Sequence, residues 1–249
     1  MIYNLLLLIG GLIAGIINTL AGNGSVITLS LCTEVIGLSP SIANATNRLG
    51  ILTQSIAGTA SLYSHKKLLL KGTYTSILVV FSGALIGIWL ATILHDETIN
   101  QMYPWFLIFI FIVLLLKPER WLKTIPVQDF IPPWYIWPIY FLIGVYGGLI
   151  QIGIGVFYLA TSIMINRIPW LHANSAKIVV TGLFTIMALI FFGIHGLIHL
   201  HTAIFLAIGQ TIGAWMGVKY LSRNTRAQTI SYYLLLIITG ATIIKQFLF

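Results

Sequence analysis

Long apolar runs alternate with short polar or glycine-bearing breaks along this chain, and the runs recur from Leu5 to Phe249. Set against the breaks, they predict ten helical segments: approximately 2–21, 25–37, 41–63, 72–94, 99–116, 134–152, 156–166, 170–193, 199–221 and 227–247. Two of these are short. At 1.5 Å per residue, segments 25–37 and 156–166 reach only about 17 to 20 Å, against a bilayer hydrocarbon core of about 30 Å. Each follows a glycine break, Gly22-Asn23-Gly24 in one case and Gly153-Ile154-Gly155 in the other. Both are expected to begin or end inside a membrane, and paired short segments of this kind point to a transporter's binding site.

The two breaks occupy the same ordinal place in the two halves, and other landmarks repeat in the same order. Pro40 precedes Arg48 by eight residues, as Pro169 precedes Lys177. Gly83, Gly87 and Trp89 match Gly209, Gly213 and Trp215, while Gly11 and Gly15 match Gly144 and Gly148. An internal duplication follows, with halves at 1–124 and 125–249 and the join in the polar, proline-rich stretch from Lys117 to Pro133. Lys and Arg accumulate in cytoplasmic loops of membrane proteins. Lys66, Lys67 and Lys71 therefore mark one cytoplasmic loop, Lys117, Arg120 and Lys123 mark the join, and Lys219, Arg223 and Arg226 mark the last. The connection with Asp96 and Glu97 is placed outside. The parity gives five segments per half, both termini outside, and halves of inverted orientation.

Composition strengthens the membrane assignment. Of 249 residues, 58% are hydrophobic and 7% charged, and the mean hydropathy is +0.98. The fold class expected is an all-α polytopic membrane protein, multi-pass in a prokaryotic cytoplasmic membrane. Residues 1 to 20 lack a basic n-region, so the first helix is read as retained. The formal charge of +8 lies mainly in loops, where membrane orientation accounts for it and nucleic acid is not needed. Cys32, the only cysteine, excludes an intrachain disulfide and a cysteine-based metal site. Trp105, Trp121, Trp134, Tyr135 and Trp137 cluster at segment ends, as interfacial belts require. The bilayer is thus one partner, and a homo-oligomer is compatible with the same pattern.

The chemistry concentrates on Arg48 and Lys177. A charge at the bilayer centre costs roughly 2.5 to 3.5 kcal/mol on insertion scales, so it is rarely retained without a partner or ligand. With inverted halves, the two bases lie about 12 Å in from opposite faces and approach one level. Asn44, Thr46, Asn47 and Gln54 in one half, with Asn174 and Ser175 in the other, can donate to anionic oxygens. Gly22, Asn23, Gly24 and Ser25 offer polar side chains and free amides at a helix start, with Gly153 and Gly155 as counterparts. Gln151 and Gln210 read more simply as interhelical hydrogen bonds. His195, His199 and His201 are expected in an external loop, and no metal or cofactor is predicted. No catalytic motif is present, and no carboxylate lies deep in a segment; Glu34 sits near the outer end of 25–37.

The glycine-rich first helices, the run Ala43-Asn44-Ala45-Thr46-Asn47-Arg48 and Ser175-Ala176-Lys177 resemble the sulfite exporter TauE/SafE family over nearly the whole chain. The residues alone reach a small-anion transporter. The resemblance implies the substrate class: sulfite, sulfonates or related organosulfur anions, exported by a secondary transporter with duplicated halves. A passive anion channel and, less favoured, an intramembrane enzyme acting on an anionic substrate stay open beside it.

Overall fold

The computed structural model describes residues 2–94, 134–223 and 226–248, with isolated positions between 97 and 115. The join from Lys117 to Pro133, Asp96, Trp121 and most of the expected segment 99–116 lie outside the described residues. Helix α1 (Ile2–Leu20) is followed by α2 (Ser25–Ser30), which widens into a π-helical turn at Leu31–Val35. Then come α3 (Pro40–Ser64) and α4 (Tyr74–Ile93). A 3-10 turn, Trp134–Ile136, opens α5 (Trp137–Leu149), and α6 (Ile154–Ala160) widens into a second π-helical turn at Thr161–Ile165. The chain closes with α7 (Trp170–Ile194), α8 (Leu200–Arg223) and α9 (Ala227–Leu248).

Local chemistry sets the boundaries that differ from expectation. The expected segment 134–152 stops at Leu149, and 156–166 starts earlier, at Ile154. Gly153 takes a left-handed conformation (φ 70°), which ends the break and lets the next helix begin directly. The segment expected to reach 37 ends its π-helical turn at Val35, before left-handed Gly37. At the start of α3, Pro40 needs no hydrogen-bond partner for its nitrogen, and Ser39 Oγ accepts from the Ile42 amide at 3.5 Å.

Polarity is inverted relative to a water-soluble protein. Ile2, Leu78, Leu142 and Ile237 are all exposed, while Asn47, Arg48, Asn174, Lys177 and Gln210 are buried. Helices α1, α4 and α7 are long and apolar enough to cross a membrane. Helix α3 has the same 25-residue length as α7 but carries the polar run from Asn44 to Gln54, which lowers its mean hydropathy.

The helices pack by exchange between halves. Helix α1 lies on α8, α5 lies on α4, and α3 and α7 pack against each other while resting on α8 and α4 respectively. Glycines permit the two tight pairs. Gly11 and Gly15 of α1 meet the backbone of α8, and Gly209 and Gly213 return the contact; Gly144 and Gly148 of α5 do the same with Gly83 and Gly87 of α4. A Cβ on Gly87 would strike Val145 O and come within 2.9 Å of the Leu149 nitrogen. By contrast, a Cβ on Gly58 would touch only the Ile178 side chain, at 3.4 Å. Gly87→Ala is expected to cost about 1–3 kcal/mol through overpacking. Gly58→Ala should be neutral or stabilising, because it lowers unfolded-state entropy without a clash. Thermal midpoints of the two purified variants in detergent check this ordering, and equal midpoints would refute it.

Candidate functional site

An α-helix leaves its last carbonyls unsatisfied and carries a partial negative charge at that end. Two such ends, those of α1 and α5, lie inside the protein, and the two bases of the polar run reach them. Arg48, fully buried on α3, donates from Nη1 to Gly147 O at 3.1 Å and from Nη2 to Gly148 O at 2.7 Å, in the last turn of α5. Asn44 sits one turn before it, donating to Leu149 O at 2.9 Å and accepting from Arg48 Nη2 at 3.4 Å. The Phe192 ring lies 5.5 Å from the guanidinium carbon. Lys177 on α7 does the equivalent for α1, donating from Nζ to Asn18 O at 2.9 Å and Thr19 O at 3.1 Å. Each base thus caps the first helix of the opposite half.

Other candidates are also engaged across the halves. Thr46 Oγ1 accepts from the His199 amide at 3.0 Å, just before α8, and Ser175 Oγ accepts from the Leu69 amide at 3.3 Å, ahead of α4. Ser175 also donates to Lys67 O. Gln210 Nε2 donates to Asn47 Oδ1 at 3.0 Å, which agrees with the interhelical reading of Gln210. Asn174 is fully buried, and neither end of its amide has a partner.

The two breaks meet in the interior. Between Leu20 and Ser25 the chain runs through Ala21 to Gly24, and between Leu149 and Ile154 through Ile150 to Gly153. Gly153 therefore stands where Gly24 does, and Gly155 is already inside α6. There it abuts Gly22, whose φ is 86°: a Cβ on Gly22 would come within 2.7 Å of Gly155 Cα, which neither backbone could accommodate. Gln151 takes the place of Gly22 in the second break, left-handed at φ 64° although it is not glycine. Asn23, Gly24 and Ser25 are buried beside this contact.

Where the breaks meet, a cavity of about 20 Å³ opens beside Lys177. Ser25, Gln54, Ser55, Gln151 and Thr181 complete its polar lining, and α1 contributes the Asn18–Thr19 stretch that Lys177 caps. Lys177 carries the one charge in that lining. An ammonium has three donors, and only two are used on α1. Gln151 is 2% exposed and neither of its amide atoms has a protein partner; Gln54 Oε1 has none either. Of the expected site, the cavity lining gathers Lys177, Ser25 and Gly155, with Gly22 and Gly153 close by. Arg48, Thr46, Asn47 and Ser175 are bound into the contacts between halves.

Gln151, read from the sequence as an interhelical hydrogen bond, makes none and lines the cavity instead. Its signal was its place in the second glycine break, where a polar side chain among apolar neighbours is as exceptional as Asn23 in the first. The histidines are tied locally. His195 Nδ1 donates to Phe191 O at 2.7 Å, His199 Nδ1 lies 2.8 Å from Thr202 Oγ1, and the His201 ring packs on Phe205. Glu34 is exposed in the π-helical turn after α2, remote in sequence from the polar run.

Helices with an apolar exterior around a charged and polar interior define a polytopic membrane protein. The chain belongs to the sulfite exporter TauE/SafE family, whose model matches residues 7–243, and it is accordingly a membrane transporter. It is 26% identical over 215 residues to the probable membrane transporter protein ORF9 of a Sinorhizobium species, covering 86% of this chain and 81% of that one. It is also 25% identical over 212 residues to the probable membrane transporter protein YfcA of Escherichia coli K12, covering 84% of this chain and 77% of that one. No solved structure matches it.

Proposed function

We propose that this chain is a secondary transporter that exports small anions, sulfite, sulfonates or related organosulfur compounds among them, across a prokaryotic cytoplasmic membrane. The observation that carries the reading is Lys177: a buried cation with a donor to spare, facing a cavity lined by neutral hydrogen-bonding groups and no carboxylate. A buried charge is costly unless paired. Neutral carbonyls lower that cost, and an anion removes more of it.

In this reading the halves 1–124 and 125–249 are inverted repeats that rock against each other around the cavity. Their exchanged packing supports it, as does the paired capping of α1 by Lys177 and α5 by Arg48. A cavity of about 20 Å³ is room for roughly one water, smaller than a sulfonate group, so this conformation is closed. Opening must separate the breaks. Their contact at Gly22 and Gly155 is backbone against backbone with no interlocked side chains, which lets the two surfaces part and re-form. Export of a singly charged anion from a cell with a negative interior gains about 2.3 kcal/mol per 100 mV, enough to drive the cycle without a carboxylate proton relay.

Proteoliposomes holding the purified protein, challenged in turn with sulfite, sulfoacetate, phosphate and chloride, should show saturable uptake of at least one of these anions. An imposed potential of the correct sign should accelerate it. Absence of flux for every anion would overturn the anion reading, and single-channel steps would replace the carrier by a channel.

A further inference from the structure

We infer that Gln151, together with Lys177, forms the specificity half-site for a singly charged oxyanion, and that the anion is held on the Lys177 side alone. This rests on the anion-transport reading and names its ligand more narrowly. Three independent observations converge on Gln151. Its side chain is buried with both amide atoms unpartnered, a state it shares with Asn174, which does not line the cavity. It lines the cavity into which Lys177 projects. Its backbone is left-handed at φ 64°, a conformation that glycine would hold freely and that glycine does hold at the matching Gly22. Lys66 and Arg167 are left-handed too, but neither lines the cavity; at Gln151 the strained backbone coincides with an unsatisfied polar end facing a polar space, which fits a side chain that meets a ligand.

The donors set the ligand's chemistry. Lys177 brings one positive charge and a third N–H, and Gln151 brings an amide N–H₂ and a carbonyl. Ser25, Ser55 and Thr181 bring hydroxyls around the same space. Several converging donors fit an anion with two or three oxygens, which accepts in several directions, better than a halide. One cation balances one negative charge. A dianion would leave an uncompensated charge buried in the protein, which costs several-fold more than the neutral polar group it displaces. The first half lends hydroxyls and amide groups to this space but no second cation. Arg48 spends both terminal nitrogens on α5 and Asn44 and packs against Phe192; its Nε has no protein partner, but Arg48 is absent from the cavity wall.

The test uses the full chain in proteoliposomes with methanesulfonate, sulfate and chloride as probes. Wild-type protein should carry methanesulfonate with clear preference over sulfate and over chloride. Gln151→Gly removes the amide while relieving the backbone, so its thermal midpoint should hold or rise. Its KM for methanesulfonate should rise about tenfold or more, the worth of one hydrogen bond to a charged group. Its preference over chloride should shrink. Gln151→Asn, which also tolerates the left-handed region, should fall between the two. Gln151→Glu sets a carboxylate opposite Lys177 and should suppress uptake of every probe. A wild-type KM and unaltered selectivity in Gln151→Gly would overturn the role of Gln151, and sulfate carried as well as methanesulfonate would overturn the single-charge rule. Failure of wild-type protein to move any anion would instead overturn the transport reading beneath both.

Discussion

Lys177→Met should cut anion uptake severely while leaving a folded protein. Methionine reproduces the lysine stem to within one heavy atom and fills the space beside Gly155, but it carries neither charge nor donor. Two opposing terms govern stability. The Asn18 and Thr19 carbonyls lose their partner, each at about 1–3 kcal/mol when buried. Against this, a buried cation is no longer held out of water, and replacing buried charge by a hydrophobic residue of similar volume is often neutral. The net change in thermal midpoint should therefore be small. Transport has no such compensation, because the anion would enter a cavity with no positive charge in its lining. Uptake should fall on the order of a hundredfold, matching about 2–5 kcal/mol for truncating one side of a buried charge pair. Initial rates of methanesulfonate uptake, normalised to folded protein, provide the measurement. Wild-type uptake in this variant would sink the site.

Arg48→Met should give the opposite pattern, a large loss of stability with the transport rate per folded molecule much less affected. Arg48 satisfies two carbonyls at the end of α5 and the Asn44 side chain, and its stem fills a fully buried space against Phe192. Losing the two carbonyl bonds alone costs about 1–3 kcal/mol each, and with the unpaired Asn44 oxygen and the cavity left by the shortened side chain this outweighs the relief from removing a buried charge. The thermal midpoint should drop on the order of 10 °C. Arg48→Lys should recover only part of this, since an ammonium cannot reproduce the fork that spans Gly147 and Gly148. Thermal denaturation in detergent followed by size-exclusion chromatography reads the effect. An unchanged midpoint with uptake lost would make Arg48 a substrate ligand rather than a clamp.

The different fates of these two bases explain how far sequence reasoning could go. Their matched distances from Pro40 and Pro169 made them legible as a pair, because burying a charge in an apolar helix is costly enough to demand a reason. The reason itself was not legible. The carbonyls that Arg48 caps belong to Gly147 and Gly148, and those that Lys177 caps belong to Asn18 and Thr19; every backbone has carbonyls, so composition cannot mark which are left unpaired. Thr46 and Ser175 show the same limit. Both are apt donors to an anion by residue type, yet each hydroxyl oxygen accepts a backbone amide from a distant loop, and Ser175 also gives its proton to Lys67 O.

Helix, membrane and the pairing of landmarks are one-dimensional properties, set by run length, polarity and the placement of glycine and proline along the chain. Hence the short segments, their breaks and the tightly packed glycines could all be located in advance. Which polar groups stay free for a ligand depends on which ones the fold consumes elsewhere. That is a three-dimensional sum over partners far apart in the chain: packing α3 against α7 and setting each base on the opposite half's helix end committed both terminal nitrogens of Arg48, and placed Lys177 and Gln151 in the wall of the polar cavity where the two breaks meet.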